Sequence, residues 1–268
     1  MWRIIATQDG HLTVGSRSVK FLISVLAFGV LLLGYLYPIQ GTNPTTTAHF
    51  TGFVTEWITL VTPVIGILLG YNAVVSERES GSLKLSLVLP HSRKDILLGK
   101  LLGRTVPLVT GLGAALILAG ALVVYPFGEL LLLNFAVFVL VAICYAILWV
   151  SIGLAVSISV SSKRRALVSG FAIPTVFVYG LHTIERAVRV GLSSTGVTSG
   201  ELPLGVQFVF GMTPGRGFSR VVNGLTDPAV SVDGPWYLSE WTGLLAIGIW
   251  TVVPLGVGYR RFKRSDLH

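Results

Sequence analysis

Residues 58–76 read ITLVTPVIGILLGYNAVVS, and residues 77–100 continue as ERESGSLKLSLVLPHSRKDILLGK. The first stretch has no charged residue; the second carries Glu77, Arg78, Glu79, Lys84, Arg93, Lys94, Asp95 and Lys100. A helix that crosses the hydrocarbon of a bilayer needs about 20 apolar residues. The first stretch supplies that length, so the step at Ser76–Glu77 is where a membrane helix meets water.

The same pattern recurs along the chain. Charge-free windows run over Phe21–Thr55, Thr105–Gly128, Leu130–Ser162, Ala166–Ile184 and Trp241–Tyr259. Only 12% of the 268 residues are charged, 52% are hydrophobic, and the mean hydropathy is +0.77. A soluble domain carries about 25% charged residues. Backbone polar groups in lipid must be satisfied within the segment, and the short alternating strands of a barrel are missing, so the windows are helices. The chain reads as one all-α membrane domain over residues 1–268. Six transmembrane helices are expected near 19–38, 57–76, 105–125, 130–158, 166–183 and 241–259.

Sixteen of the 20 Lys and Arg residues fall before the first span, between spans two and three, between spans four and five, or after span six. The other four, Arg186, Arg189, Arg216 and Arg220, share the segment between spans five and six. Basic residues favour the cytoplasmic side, which puts both termini and the 77–100 segment in the cytoplasm and residues 185–240 outside. The net charge of +8 is then a topology signal with some attraction to anionic lipid, and no nucleic-acid partner is implied. Residues 1–18 read as a short helix in the membrane interface, with Trp2 at headgroup level. Leu204–Phe210 is too short to span; it reads as a half-inserted helix, a packed external cap or, the favoured reading, a second interfacial helix. Trp236, Tyr237 and Trp241 form an aromatic belt at the start of the last span.

What is missing narrows the function. The span interiors hold no Lys, Arg, Asp or Glu, the usual marks of an ion or proton pathway. Gly99-Lys100 is followed by Leu101 and lacks the upstream glycine of a phosphate-binding loop. The five histidines are scattered, with no pair at the spacing that places two metal ligands on one helix face. No catalytic, metal or cofactor site is assigned to this chain, so energy for uphill transport has to enter from a partner.

The charged segment is where it could enter. Glu77–Glu79 close span two, and Gly81-Ser82 permits a break. Leu83, Leu85 and Leu87 give an apolar surface too short to span, Pro90 begins a turn, and Ser92 can cap a helix starting near Asp95. Two readings follow: a linker lying on the membrane, or a short helix that docks into a soluble partner.

At these residues the chain resembles the ABC-2 type permease family, the membrane subunits of ATP-binding-cassette transporters. The matching positions are Glu77, Glu79, Gly81, Ser82 (Thr in many relatives), Leu83, Pro90, Ser92, Arg93 and Ile96–Lys100. Gly153–Ser159 with Ser161–Ala166, and Pro214 with Phe218, are weaker points of similarity. The chain is similar to permeases associated with nitrous-oxide-reductase maturation, and also to permeases that export drugs or peptides; the sequence does not choose between them. The resemblance implies a multi-pass protein of the cell membrane that exports a substrate, paired as a homodimer or heterodimer. It implies a coupling helix seated in a separate ATPase subunit, which holds the ATP and Mg. It assigns Glu77, Glu79, Gly81, Ser82, Leu83, Pro90, Arg93 and Lys100 to that coupling. The competing reading is a membrane anchor or assembly factor that recruits a partner without transport.

Overall fold

A computed structural model describes residues 2–40, 46–81, 92–125, 128–194, 202–226 and 235–264, and these are helical with no β-strand. Helix α1 (Trp2–Gly15) breaks at Ser16 and is followed by α2 (Arg17–Leu36). Next come α3 (Thr47–Gly70), the short α4 (Val75–Glu79), α5 (Arg93–Val124) and α6 (Leu132–Ser159). The fifth long stretch is α7 (Lys163–Pro174), a π-helical turn (Thr175–Gly180) and α8 (Leu181–Ser194). Two shorter helices, α9 (Leu204–Gly211) and α10 (Pro214–Thr226), precede α11 (Glu240–Arg264).

Six stretches are long and apolar enough to cross a membrane, as the windows indicate. Several run further than the windows. The second begins at Thr47, the third at Arg93, and the fifth continues to Ser194. A charge-free window measures solubility in lipid, whereas a helix ends where its backbone hydrogen bonds stop. The third begins at a capping box: the Ser92 hydroxyl accepts from the Asp95 N–H while the Asp95 carboxylate accepts from the Ser92 N–H. Fifth-span residues beyond Ile184 therefore continue a helix, where the sequence reading had them enter an external loop.

At the centre, α3 and α6 lie backbone to backbone. A side chain on Gly66 would sit 2.6 Å from Cβ of Trp149, and one on Gly70 would sit 2.6 Å from the Leu154 nitrogen. One on Gly153 would sit 2.9 Å from both Cα and the carbonyl oxygen of Ile67. Small residues at the contact let membrane helices approach this closely. Trp149, Tyr145, Phe138, Phe50 and Phe218 fill the surrounding core.

The segment between α8 and α11 was expected outside the bundle, and the structure folds part of it back along the spans. Phe218 of α10 is buried and stacks on Tyr145 at 4.5 Å between ring centres. Tyr145 is 13 residues into α6, about 20 Å at 1.5 Å per residue. From there α10 runs outward: Gly215 lies beside Thr59, while Thr226 meets Thr51 at 2.9 Å between hydroxyls and accepts from the Asn134 amide at 3.2 Å. At the tip of this re-entrant hairpin the Met212 carbonyl accepts a hydrogen bond from the Trp250 indole of α11 at 2.9 Å. Irregular backbone at membrane depth is tolerated where protein satisfies it in this way.

Helix α1 has the helical form expected of it, and α5 takes up one face. Gly99 and Gly103 admit it closely: side chains there would meet Ile5 Cβ at 2.6 Å and the Ala6 carbonyl at 3.0 Å.

The α3–α6 contact yields a test. Gly70→Val should overpack it and cost about 1–3 kcal/mol, seen as a lower unfolding temperature in detergent. Gly52→Ala, on the same helix with nothing within 4 Å, should stay within about 0.5 kcal/mol of the parent.

Candidate functional site

One end of the bundle gathers the residues singled out in the sequence. Both Trp2 and Phe262 meet the start of α5 there, so the two ends of the described chain lie together. Helix α4 reaches this end through a break after Gly70. Its orphan N–H groups are satisfied across the bundle, because the buried Ser157 hydroxyl of α6 accepts from the amides of Val74 at 2.9 Å and Val75 at 3.1 Å. The helix stops at Ser80, and Gly81 has φ of +76°. That left-handed value suits glycine at the position after a helix C-cap.

The charged residues of this region bind to the chain's own helices. Arg78 donates to the carbonyls of Val160 at 3.0 Å and Ile158 at 3.3 Å, at the C-terminal end of α6. A cation there also suits the negative end of the helix dipole. The Glu79 carboxylate accepts from the Lys163 N–H at 2.7 Å, in the first turn of α7, the complementary arrangement at a helix N-terminus. Arg93 donates to the Phe262 carbonyl of α11, and its guanidinium lies 5.2 Å from the centre of the Phe262 ring.

Lys100 sits at the middle of a buried ion-pair chain. Its ammonium is 2.6 Å from a Glu77 carboxylate oxygen and 3.6 Å from Asp9. Asp9 also holds Arg104 through two contacts, Nε at 2.7 Å and Nη2 at 3.2 Å. Lys100 and Asp9 are only 4% and 7% exposed. Buried charges are retained when each finds a partner and its hydrogen bonds, and this alternation of sign supplies them. The chain of pairs joins α4, α5 and α1.

Of the assigned coupling residues, Glu77, Glu79, Gly81, Arg93 and Lys100 are therefore brought to one end. Glu77 and Lys100, which flank the segment in sequence, touch. Ser82, Leu83, Leu85, Leu87 and Pro90 lie outside the described residues. Asp9, Arg104, Arg78 and Ser157 take roles here that the residue pattern did not point to. Asp9 did carry a signal, as the one acidic residue before Glu56 in a basic N-terminal region.

The model of the ABC-2 family transporter proteins covers residues 15–267. The chain belongs to the ABC-2 transporter family. With six helices able to cross a bilayer, it is a multi-pass membrane protein. It is similar to a probable ABC transporter permease protein NosY of Pseudomonas aeruginosa, 27% identical over 281 residues that take in 100% of this chain and 99% of the relative. It is also similar to a probable ABC transporter permease protein NosY of Stutzerimonas stutzeri, 29% identical over 190 residues, or 68% of this chain and 67% of that one.

Removing one member of the ion-pair chain should leave buried like charges facing each other. Asp9→Ala exposes Lys100 and Arg104 to mutual repulsion and should cost about 3–5 kcal/mol, read as a lower unfolding temperature in detergent. Asp9→Ala with Arg104→Met should cost less than the sum of the two single changes, because the residues share one network.

Proposed function

We propose that the chain is the permease subunit of an ATP-binding-cassette exporter. It lines the translocation path and is driven by ATP hydrolysed in a separate subunit. Membership of the ABC-2 family supports this, as do two relatives described as probable ABC transporter permease proteins. So does the sequence, in which no phosphate-binding loop is present. In this reading the ATPase docks on the segment between Glu79 and Arg93, and two permease copies, or two related permeases, pair across the membrane.

The observation that carries the coupling role is the Glu77–Lys100 contact of 2.6 Å. It ties α4 directly to α5 at the two ends of the segment, so force delivered there is shared by both helices. Arg78, Glu79 and Arg93 extend the same linkage to α6, α7 and α11. A conformational switch needs contacts that differ between its states, and ion pairs at helix ends can be broken and remade without repacking a core.

The test is reconstitution of the full chain with its ATP-binding subunit. Glu77→Gln leaves Lys100 paired with Asp9 and should preserve folding and association. It should lower permease-stimulated hydrolysis about tenfold, a coupling of about 1.4 kcal/mol. Unchanged stimulation with the complex intact would reject the coupling role of this contact. Association of the parent chain without any stimulation would favour an anchor over a transporter.

A further inference from the structure

The re-entrant hairpin, away from the Lys100 end, holds charge that the coupling reading does not use. Between α8, α9 and α10 lies a cavity of ≈ 490 Å³. Its described charged walls are Arg189, Arg216, Arg220 and one carboxylate, Glu185. Glu185 is 7% exposed and fully engaged: one oxygen accepts from Arg189 at 3.2 Å, the other from Arg216. A single carboxylate against three guanidinium groups leaves a surplus of two positive charges among the described lining residues.

Arg220 is the member left over. Its Nη1 is closed off from solvent and has no hydrogen-bond partner among the described residues. The guanidinium packs against the backbone of Gly211, where an added Cβ would collide with it. The guanidinium of Arg216 lines the same cavity. Arginine stays protonated in proteins. A buried, unpartnered charged donor is costly, and the re-entrant hairpin holds this one facing two other arginines.

We propose that this cavity binds a phosphate group. Two surplus positive charges match the charge of about −1.5 to −2 on a phosphate monoester. The planar guanidinium fork fits phosphate oxygens in paired hydrogen bonds. The volume exceeds that of the anion alone, and Leu202, Leu204 and Leu238 line the remainder. The ligand is a phosphate carried on an apolar body, either a lipid headgroup or a soluble phosphoester. The inference is independent of the coupling role proposed above.

The experiment uses the full chain, delipidated in detergent, with inorganic phosphate as probe at constant ionic strength. Phosphate should raise the unfolding temperature of the parent chain. Arg220→Gln should weaken that response about tenfold, the size of one lost charge-assisted hydrogen bond. Without phosphate the same variant should unfold at the parent temperature or above, since it removes a part-buried cation with a buried, unpaired donor. A structural role for Arg220 gives the opposite sign. Arg220→Lys keeps the charge, loses the fork, and should lie between; it carries the comparison if the glutamine variant does not fold.

A second arm reconstitutes both chains in phosphatidylcholine vesicles containing phosphatidic acid, whose phosphate is a monoester, and measures retained phospholipid by native mass spectrometry. Lipid held by the parent and lost in Arg220→Gln identifies a headgroup. A phosphate response without retained lipid identifies a soluble phosphoester. Equal responses in parent and variant, no binding in either arm, or a phosphate-free Arg220→Gln chain well below the parent would each overturn the proposal.

Discussion

In a bilayer, covering one apolar helix face with another gains little, because the lipid tails it displaces are equally apolar. The arrangement of this bundle therefore depends on how closely α3 and α6 can approach. Gly66, Gly70 and Gly153 bring the two backbones together, and a lipid chain cannot reproduce the dispersion attraction between surfaces packed that tightly. Helix α10 leans on both partners, α7 packs beside them, and α11 lies along α6. The break in the second span follows from the same contact. It comes just after Gly70, where the Ser157 hydroxyl of α6 is placed to restart the chain as α4.

Polar groups are sorted by place. Along the core they are small: Thr51 with Thr226, Asn134 with the Thr226 carbonyl, Trp250 with Met212. Full charges gather at the Lys100 end, where they pair off in sequence, and around the re-entrant hairpin, where Glu185 meets three arginines.

Much of this was legible in the sequence. The six spans follow from charge-free length alone, and the Ser92 start of α5 follows from a local pattern whose two partners sit three residues apart. The helical form of residues 2–15 was also local. The re-entrant hairpin was legible only as one of three readings of Leu204–Phe210. Leu204–Phe210 and Pro214–Thr226 are too short to register as spans, and their place is set by Tyr145, Thr51 and Trp250, far away in sequence. The inward duties of Glu79 and Arg93 were hidden for the same reason. A charged residue beside a span looks alike whether it faces water or caps a neighbouring helix, and only the fold brings Lys163 and Phe262 within reach. The extension of the fifth stretch to Ser194 was masked by Arg186 and Arg189, which end a hydropathy window without ending a helix.

The π turn at Thr175–Gly180 gives that fifth stretch a further property. A π turn carries a surplus residue relative to α pitch. Absorbing it would rotate everything beyond by about 100° about the helix axis, with the hydrogen-bond ladder re-formed afterwards. Glu185 lies only a few residues past the turn. In the structure this register presents the Glu185 carboxylate to Arg216, and a helix of unbroken α pitch would turn it toward another face.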